Sequence, residues 1–319
     1  NNISVTMPYG ASVTSLTPSI THNGNSISPT GAQDFTSPIQ YTVTAEDAST
    51  QVYTVTVTFG SSSTDNYRTK ATGDWNDATP GNVWESSSDN STWYAATIAP
   101  GSSAASIAVK TGHTITVSAD VSIGTTTIES GATLKTTGTA VVTVPSGKTL
   151  NVDGTFENNG TVSDLVFSSA TAVNFNAGST YLLSGASSFI PGGASIISYN
   201  SNSTVNITGG PASGNMTTTA GTVYGNYTVN SSSNTGTVVL FPTGSPMQRI
   251  GGNFTINNGL VQLISSGGTN ILSIDGNYYQ NGGTVLMNPS SYGTTTFRPV
   301  VVKGNFSMDG GTFTISNSQ

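Results

Sequence analysis

The chain has 319 residues and a net charge of −7, and only 7% of its residues are charged. Its eight basic residues are scattered, which excludes the basic patch that nucleic acids and anionic membranes require. There is no Cys, which excludes disulfides and thiolate metal sites, and no apolar run approaches the roughly 20 residues that cross a bilayer. Abundant turn formers and β-branched residues predict an all-β chain of many short strands.

Residues 1–60 alternate between apolar and polar side chains in short bursts. The segments IQYTVTAED and QVYTVTVTF predict a hairpin, and Glu46 and Asp47 are interpreted as its turn rather than as cation ligands. Strands about ten residues apart are typical of a small antiparallel sandwich. We therefore predict an immunoglobulin-like β-sandwich that lacks its first strand.

A sequence resemblance of this module supports the same interpretation. The stretch SVTSLTPSI, followed by AQDFTSPIQYTVTAEDASTQVYTVTV, resembles the cadherin-like β-sandwich repeats of exported Bacteroidetes surface proteins. Such repeats are spacer and presentation modules, so the resemblance implies a domain without catalytic residues. The serine-rich residues 61–66 that follow are expected to be a linker.

A motif of glycine, asparagine and an aromatic residue recurs in the last third of the chain, and its aromatic residues are Tyr227, Phe254, Tyr278 and Phe306. From Gly225 onward the glycines of this motif lie 27, 24 and 28 residues apart, while apolar and polar side chains within each copy alternate with a period of two. These two periods predict a solenoid in which each copy is one coil. We expect the aromatics to stack in an interior ladder and the glycines to supply positive-φ corners.

We therefore predict that residues 67–319 form a right-handed parallel β-helix of roughly ten coils, a rod on the order of 50 Å long, with residues 67–110 as N-terminal cap and first coil. The stretch GDWNDATPGNVWESSSDNSTWYAAT and the TGHTITVSADVSIGTTTIESGATLKT after it are similar to β-helical regions of large Bacteroidetes proteins secreted by the type IX pathway. The resemblance implies an extracellular or cell-surface location. Because the sequence ends at TISNSQ while the repeat pattern is still continuing, we expect a fragment of a longer protein.

The tryptophan-containing segment is the strongest candidate for a functional site. Its aromatic residues are Trp75, Trp84, Trp93 and Tyr94, and the three tryptophans lie nine residues apart. Exposed aromatic rings in an asparagine-rich surround could stack on sugar rings. The alternative is that these rings plug the first coil, whose open end would otherwise expose core and an unpaired edge.

A catalytic centre is not expected. Glycoside hydrolysis needs two carboxylates about 5 to 9.5 Å apart, and the only acids at comparable positions, Asp275 and Asp309, fall at different corners of the repeat. A lyase needs a base beside acidic groups, and we expect no acidic side chain next to Arg249, Arg298 or Lys303.

Metal, cofactor and ice-binding sites are not expected either. His22 and His113 fall in different modules and are interpreted as surface turn residues. The threonine runs at Thr125 and Thr294 do not recur at matching offsets, which argues against an ice-binding face.

Three hypotheses for function follow. The favoured one is a non-catalytic segment of a secreted or cell-surface adhesin-like protein, in which the rod displays an adhesive surface. The second is a carbohydrate-binding module that uses the tryptophan segment or a solenoid face. The third is a polysaccharide lyase or glycoside hydrolase of the β-helix type. Glycans, or a host or substrate surface, are the partners we expect.

Overall fold

A computed structural model describes residues 1–161, 165–167, 172–187, 191, 197–210, 215–217, 222–231, 237–239, 248–263, 272–287 and 300–314. Every regular element in these ranges is a β-strand. Among them there is accordingly no helix with the length and hydropathy needed to cross a membrane. The all-β class predicted from composition is confirmed.

The N-terminal module is a four-stranded sheet of order β1-β4-β3-β2. Its strands are β1 (Asn2–Pro8), β2 (Ser26–Ser28), β3 (Ile39–Thr44) and β4 (Thr50–Gly60). Strands β3 and β4 form the predicted hairpin, and Asp47 accepts hydrogen bonds from the backbone N–H and the hydroxyl of Ser49 in its turn. Strand β1 pairs with β4 in parallel. A small core lies against this sheet, and the two-sheet sandwich stays a prediction.

The remaining strands build the second part of the chain. They are β5 (Asn66–Thr69), β6 (Gly73–Asp74), β7 (Trp84–Ser87), β8 (Tyr94–Ala95), β9 (Ser106–Val109), β10 (Thr114–Val117), β11 (Val121–Ser122), β12 (Thr126–Ile128), β13 (Thr133–Gly138), β14 (Val142–Val144), β15 (Thr149–Val152), β16 (Thr155–Gly160), β17 (Leu165–Phe167), β18 (Ala172–Phe175), β19 (Thr180–Leu183), β20 (Ile197–Tyr199), β21 (Thr204–Ile207), β22 (Asn215–Thr217), β23 (Val223–Tyr224), β24 (Asn226–Asn230), β25 (Thr237–Val239), β26 (Gln248–Ile250), β27 (Phe254–Asn258), β28 (Leu260–Gln262), β29 (Leu272–Ile274), β30 (Tyr278–Gln280), β31 (Thr284–Leu286), β32 (Val300–Val302), β33 (Phe306–Met308) and β34 (Thr312–Thr314).

These strands form a β-solenoid that winds over three faces. The first face is one ten-stranded sheet that runs from β6 to β33. The second is a three-stranded sheet followed along the chain by a five-stranded one, and the third is an eight-stranded sheet followed by a four-stranded one. Strands of successive coils pair in parallel on each face, as stacked coils require. Strands β7 and β8 of the first coil differ, because β7 pairs antiparallel with both β5 and β8 at the end of the eight-stranded sheet. The β-solenoid is confirmed, whereas its hand and the number of coils stay predictions.

An interior column runs along the first face. Strand pairing brings nine residues into line, in the order Ile115, Leu134, Phe156, Tyr181, Val205, Tyr227, Phe254, Tyr278 and Phe306. The ring centroids of Phe254 and Tyr278 lie 5.7 Å apart and those of Tyr278 and Phe306 lie 4.6 Å apart. The predicted aromatic ladder is confirmed, and its last member, Phe306, is 56% exposed at the end of the described strands. Each fully buried member contributes about 1.5–3 kcal/mol to folding.

Gln280 is the one polar residue at an interior position of the recurring motif, and its side chain is fully buried. The hydroxyl of Tyr278 donates to its Oε1 at 3.0 Å, and its Nε2 donates to the backbone oxygen of Thr312 at 3.1 Å. Both ends of the amide are therefore satisfied, which is the condition for a polar group in a core.

The glycine at the start of each motif was predicted to be required by a positive φ. It is required instead by close packing between coils. A Cβ on Gly276 would lie 2.6 Å from the backbone oxygen of Gly252 and 2.6 Å from Oδ1 of Asn253. Positive φ occurs instead at the second glycine of the last three copies and in the earlier repeats, namely at Gly112, Gly131, Gly147, Gly178, Gly259, Gly283 and Gly311.

The asparagine of the motif forms a second ladder that the sequence pattern did not predict. The backbone N–H of Asn253 donates to Oδ1 of Asn226 at 2.9 Å. In the same way Asn277 donates to Asn253 and Asn305 donates to Asn277, each at 2.8 Å. Each side-chain amide thus satisfies a backbone donor of the next coil that no strand pairing reaches.

We predict that Gly276→Ala destabilises the solenoid by about 1–3 kcal/mol, because its methyl group would overlap backbone atoms of the preceding coil. Gly101→Ala is the matched control, since no atom lies within 4 Å of a Cβ at that position. Thermal unfolding followed by far-UV circular dichroism measures both variants. Equal midpoints for the two would contradict the close-packing explanation.

Candidate functional site

Two of the four predicted site residues belong to the core. Trp75 and Trp84 are each 1% exposed and meet edge-to-face with their centroids 5.1 Å apart. The indole N–H of Trp75 donates to the backbone oxygen of Pro100, and that of Trp84 donates to the backbone oxygen of Trp75, both at 2.9 Å. The glycan-binding hypothesis is corrected for these two residues, because their rings have no free face. Their position beside β6 and in β7, at the outer ends of two sheets, supports the alternative that they plug the first coil.

The other two predicted residues, Trp93 and Tyr94, are half-buried at the surface of the first coil. The guanidinium of Arg68 lies 4.2 Å from the ring centroid of Trp93, a cation–π contact. Arg68 is itself held by an ion pair with Glu85 at 2.8 Å. The ring of Trp93 therefore has a fixed orientation while part of it stays accessible.

Residues 61–66, predicted as a linker, are hydrogen-bonded to the first coil and form a joint. The backbone N–H of Ser61 donates to Oγ1 of Thr97, and the N–H of Thr97 donates to Oγ of Ser61, both at 2.9 Å. Asp65 is buried and accepts the backbone N–H of Ser62 at 2.8 Å. This network ties the segment to the first coil, and strand β5 begins at its last residue, Asn66.

A pair of tyrosines completes the joint. The ring of Tyr9, in the turn after β1, stacks on the ring of Tyr94 with a centroid distance of 4.5 Å and an interplanar angle of 13°. Phe59 lies 6.5 Å from Tyr9 on the module side. Tyr94 was predicted as a site residue, but Tyr9 was missed. Its only signal in the sequence is an aromatic residue in the PYG turn.

A cleft of about 480 Å³ lies beside this tyrosine pair. One wall is formed by residues 8–11 of the module, and the other is formed by Ser88, Asp89, Thr92 and Tyr94 of the first coil. The volume falls within the range of about 300–1,000 Å³ that is typical of small-molecule sites. Two half-buried rings and several hydroxyl groups give the cleft both apolar and polar surface.

Asp89 supplies the only carboxylate among the residues that line this cleft. Its Oδ1 accepts the backbone N–H groups of Thr92 and Ser91 and the hydroxyl of Ser87, all at 2.8 Å. These donors, the Thr92 N–H first, hold the pKa of the carboxyl well below its usual range. The group is therefore ionised at any physiological pH, and sequence reasoning missed it because its donors are specific to this turn.

The histidines are placed separately, as expected. His113 is half-buried, and its Nδ1 lies 2.7 Å from Oγ1 of Thr69, so it is a bonded residue rather than a free surface turn. His22 lies in a loop of the module. Within the described ranges, no three His, Asp or Glu side chains gather where they could hold a metal ion.

The expectation that no acidic side chain lies next to Arg249 and Lys303 is wrong. Asp275 lies between them: Nε of Arg249 donates to its Oδ2 at 2.6 Å, and Nζ of Lys303 lies 2.8 Å from its Oδ1. The three residues come from successive coils, so proximity in space is invisible in the sequence. Hydrogen bonds from Arg249 and then Lys303 lower the pKa of Asp275. Arg298 lies outside the described residues.

The threonine run that begins at Thr125 does not recur at matching offsets, since Thr127 pairs with Ala108 and Asn151. A different set of threonines does recur. Thr114, Thr133, Thr155, Thr180 and Thr204 form one outward column on the first face. The adjacent outward column is mixed, since Lys135, Glu157 and Leu182 occupy it. A two-column threonine array is therefore not formed along these coils. Thr294 lies outside the described residues.

We predict that Asp275→Asn lowers stability at pH 7 by up to about 1 kcal/mol, because two cations lose their shared partner. A lowered pKa means that the ion pairs stabilise the fold above the ordinary value of 3.8 and that this contribution is lost as the pH falls below it. Urea unfolding at pH 7 and well below pH 3.8 measures this loss.

The matched control for this prediction is Asp309→Asn. It removes the same charge from an exposed position that has no ion pair within the described ranges. The same pH dependence of stability for both variants would contradict the prediction.

The comparisons with known proteins concern the N-terminal module. A family model described as SGBP, N-terminal, which is the N-terminal domain of surface glycan-binding proteins, matches residues 1–57. No curated protein and no solved structure matches the chain. The module that supplies one wall of the cleft is thus similar to a domain of Bacteroidetes-type surface glycan-binding proteins.

Proposed function

We propose that this chain is a non-catalytic segment of an extracellular or cell-surface glycan-binding protein. In this proposal the solenoid is a rod that displays a carbohydrate site at its N-terminal end, and adhesion to a glycan-bearing surface is the role of that display. The single observation that carries the proposal is the match of residues 1–57 to the surface glycan-binding family, since that family's name gives both the location and the ligand class.

The aromatic residues next to the matched module support a glycan site there. Trp93 and Tyr94 are half-buried, and their orientations are set by Arg68 and Tyr9 respectively. A fixed aromatic ring can receive the C–H face of a sugar at a small entropic cost, since few rotamers remain to be frozen. The glycan-binding hypothesis therefore keeps two of its four residues.

In this proposal the rod is a right-handed parallel β-helix of roughly ten coils, and the N-terminal module is an immunoglobulin-like sandwich of the cadherin-like, type IX-exported kind. The ten parallel strands of the first face support the rod. The hairpin of β3 and β4, with Val13, Phe35 and Tyr41 buried beside it, supports the sandwich.

The environment of Asp275 argues against the general-acid step that glycoside hydrolysis requires. Asp275 is engaged by Arg249 and Lys303, and Glu157 lies 3.3 Å from Nζ of Lys135. Glu129 pairs in the same way with Lys110 on the third face. Hydrogen bonds from Arg249 and then Lys303 lower the pKa of Asp275, which makes this carboxyl a poor general acid.

We predict that Trp93→Ala and Tyr94→Ala each weaken glycan binding about tenfold or more, as the loss of an aromatic anchor does in other interfaces. A glycan array followed by titration with the best ligand measures the effect. Tyr279→Ala is the control, because it removes a half-buried tyrosine from an outward column of the solenoid. Wild-type binding by both site variants would remove the tryptophan segment from the proposal.

We also predict that the chain releases no unsaturated or reducing ends from pectin, alginate or glycosaminoglycans. Ultraviolet absorbance and a reducing-sugar assay detect the two kinds of product. Release that persists after repurification and is abolished by Asp275→Asn would replace the binding proposal with the polysaccharide lyase or glycoside hydrolase hypothesis.

A further inference from the structure

We propose that the cleft between residues 8–11 and residues 88–94 is a subsite for one uncharged pyranose ring, in which Tyr9 and Asp89 act together with Tyr94. The inference rests on the proposed function, since it assumes that the chain binds glycans. It adds that the site is shared between the module and the solenoid and that it selects against acidic sugars.

The cleft joins two parts of the chain that are distant in sequence. Residues 8–11 follow β1 at the module end, while residues 88–94 connect β7 to β8 in the first coil. The two walls are held together by the stacked Tyr9 and Tyr94 rings and by a hydrogen bond from the hydroxyl of Ser88 to the backbone oxygen of Tyr9 at 3.5 Å. Neither part alone contains the site.

The tyrosine pair is a preorganised apolar surface. Tyr9 has Phe59 at 6.5 Å with an interplanar angle of 16°, so three rings lie nearly parallel across the joint. A ring packed between neighbours does not have to lose rotamer freedom when a ligand arrives. Tyr9 and Tyr94 are both half-buried and both line the cleft, and the parts of the two rings that their mutual stacking leaves exposed are the apolar surface offered to a sugar ring.

Asp89 provides the polar contact and the selectivity. Its three donors all bind Oδ1, so the turn holds the carboxylate in place while Oδ2 accepts no hydrogen bond from the described residues. A sugar hydroxyl can donate to such an oxygen, and hydrogen bonds to charged groups are the stronger kind. A uronate in the same position would place like charges together, which disfavours acidic glycans.

Affinity electrophoresis tests the inference with native gels that contain mannan, xyloglucan or mixed-linkage β-glucan as neutral probes and polygalacturonate as the acidic probe. The wild-type chain is expected to be retarded by at least one neutral probe and less by polygalacturonate. Tyr9→Ala is expected to weaken retardation by the neutral probe at least tenfold. Tyr9→Phe keeps the ring and is expected to bind as wild type does.

Asp89→Asn tests the selectivity separately. Asn retains an oxygen for the turn donors, so the loop is preserved while the charge is removed. We expect weaker binding of the neutral probe and a smaller difference between neutral and acidic probes. Tyr279→Ala, which alters a tyrosine outside the cleft, is the control in every gel.

The outcomes separate the two proposals. If the wild type binds a neutral probe and both Tyr9→Ala and Asp89→Asn bind equally well, the cleft is not the subsite and the proposed function stands. If the wild type binds no probe of either kind, both proposals fail.

Amide hydrogen exchange on the wild-type chain gives a readout that requires no substitution. The neutral probe that binds in the gels is expected to slow exchange in both residues 8–11 and residues 88–94, because a ligand between them stabilises the joint. Protection confined to the solenoid beyond residue 110 would overturn the inference even if the variants proved unstable.

Discussion

The stacking of each coil on the one before it, in parallel and in register, is the constraint on which the rest of this structure depends. It places a strand residue beside its counterpart one coil away, with a register shift after Val229 between β24 and β27. Inside, this produces the column that includes Tyr227, Phe254 and Tyr278. At the corner of the first face it produces the amide ladder of Asn253 and Asn277, and it leaves no room for a side chain at the glycine that precedes each asparagine.

The same constraint governs charge. In an outward column like charges would lie about 4.8 Å apart, where they repel. The chain uses few charged residues, and it pairs opposite signs across coils, as Asp275 does with Arg249 and Lys303. A surface organised in this way ties neighbouring coils together through their side chains as well as through their strands.

Repetition ends at the first coil, and that is where the features suited to recognition occur. The outer end of the solenoid is covered from within by Trp75 and Trp84 and from without by the N-terminal module. Covering the end creates a joint between two unlike surfaces. The cleft with Tyr9 and Asp89 is a product of that joint, and it lies beside the module that resembles surface glycan-binding proteins.

The sequence by itself determined the all-β class, the hairpin of β3 and β4 and the solenoid with its aromatic ladder, because a two-residue alternation within a repeat of 24 to 28 residues already specifies which side chains face inward. The tertiary structure alone decided that Trp75 and Trp84 are buried, that Tyr9 meets Tyr94 and that Asp275 has two cationic partners. These contacts join segments that share no period, so no local pattern encodes them. They exist only because the chain returns to the same place in space.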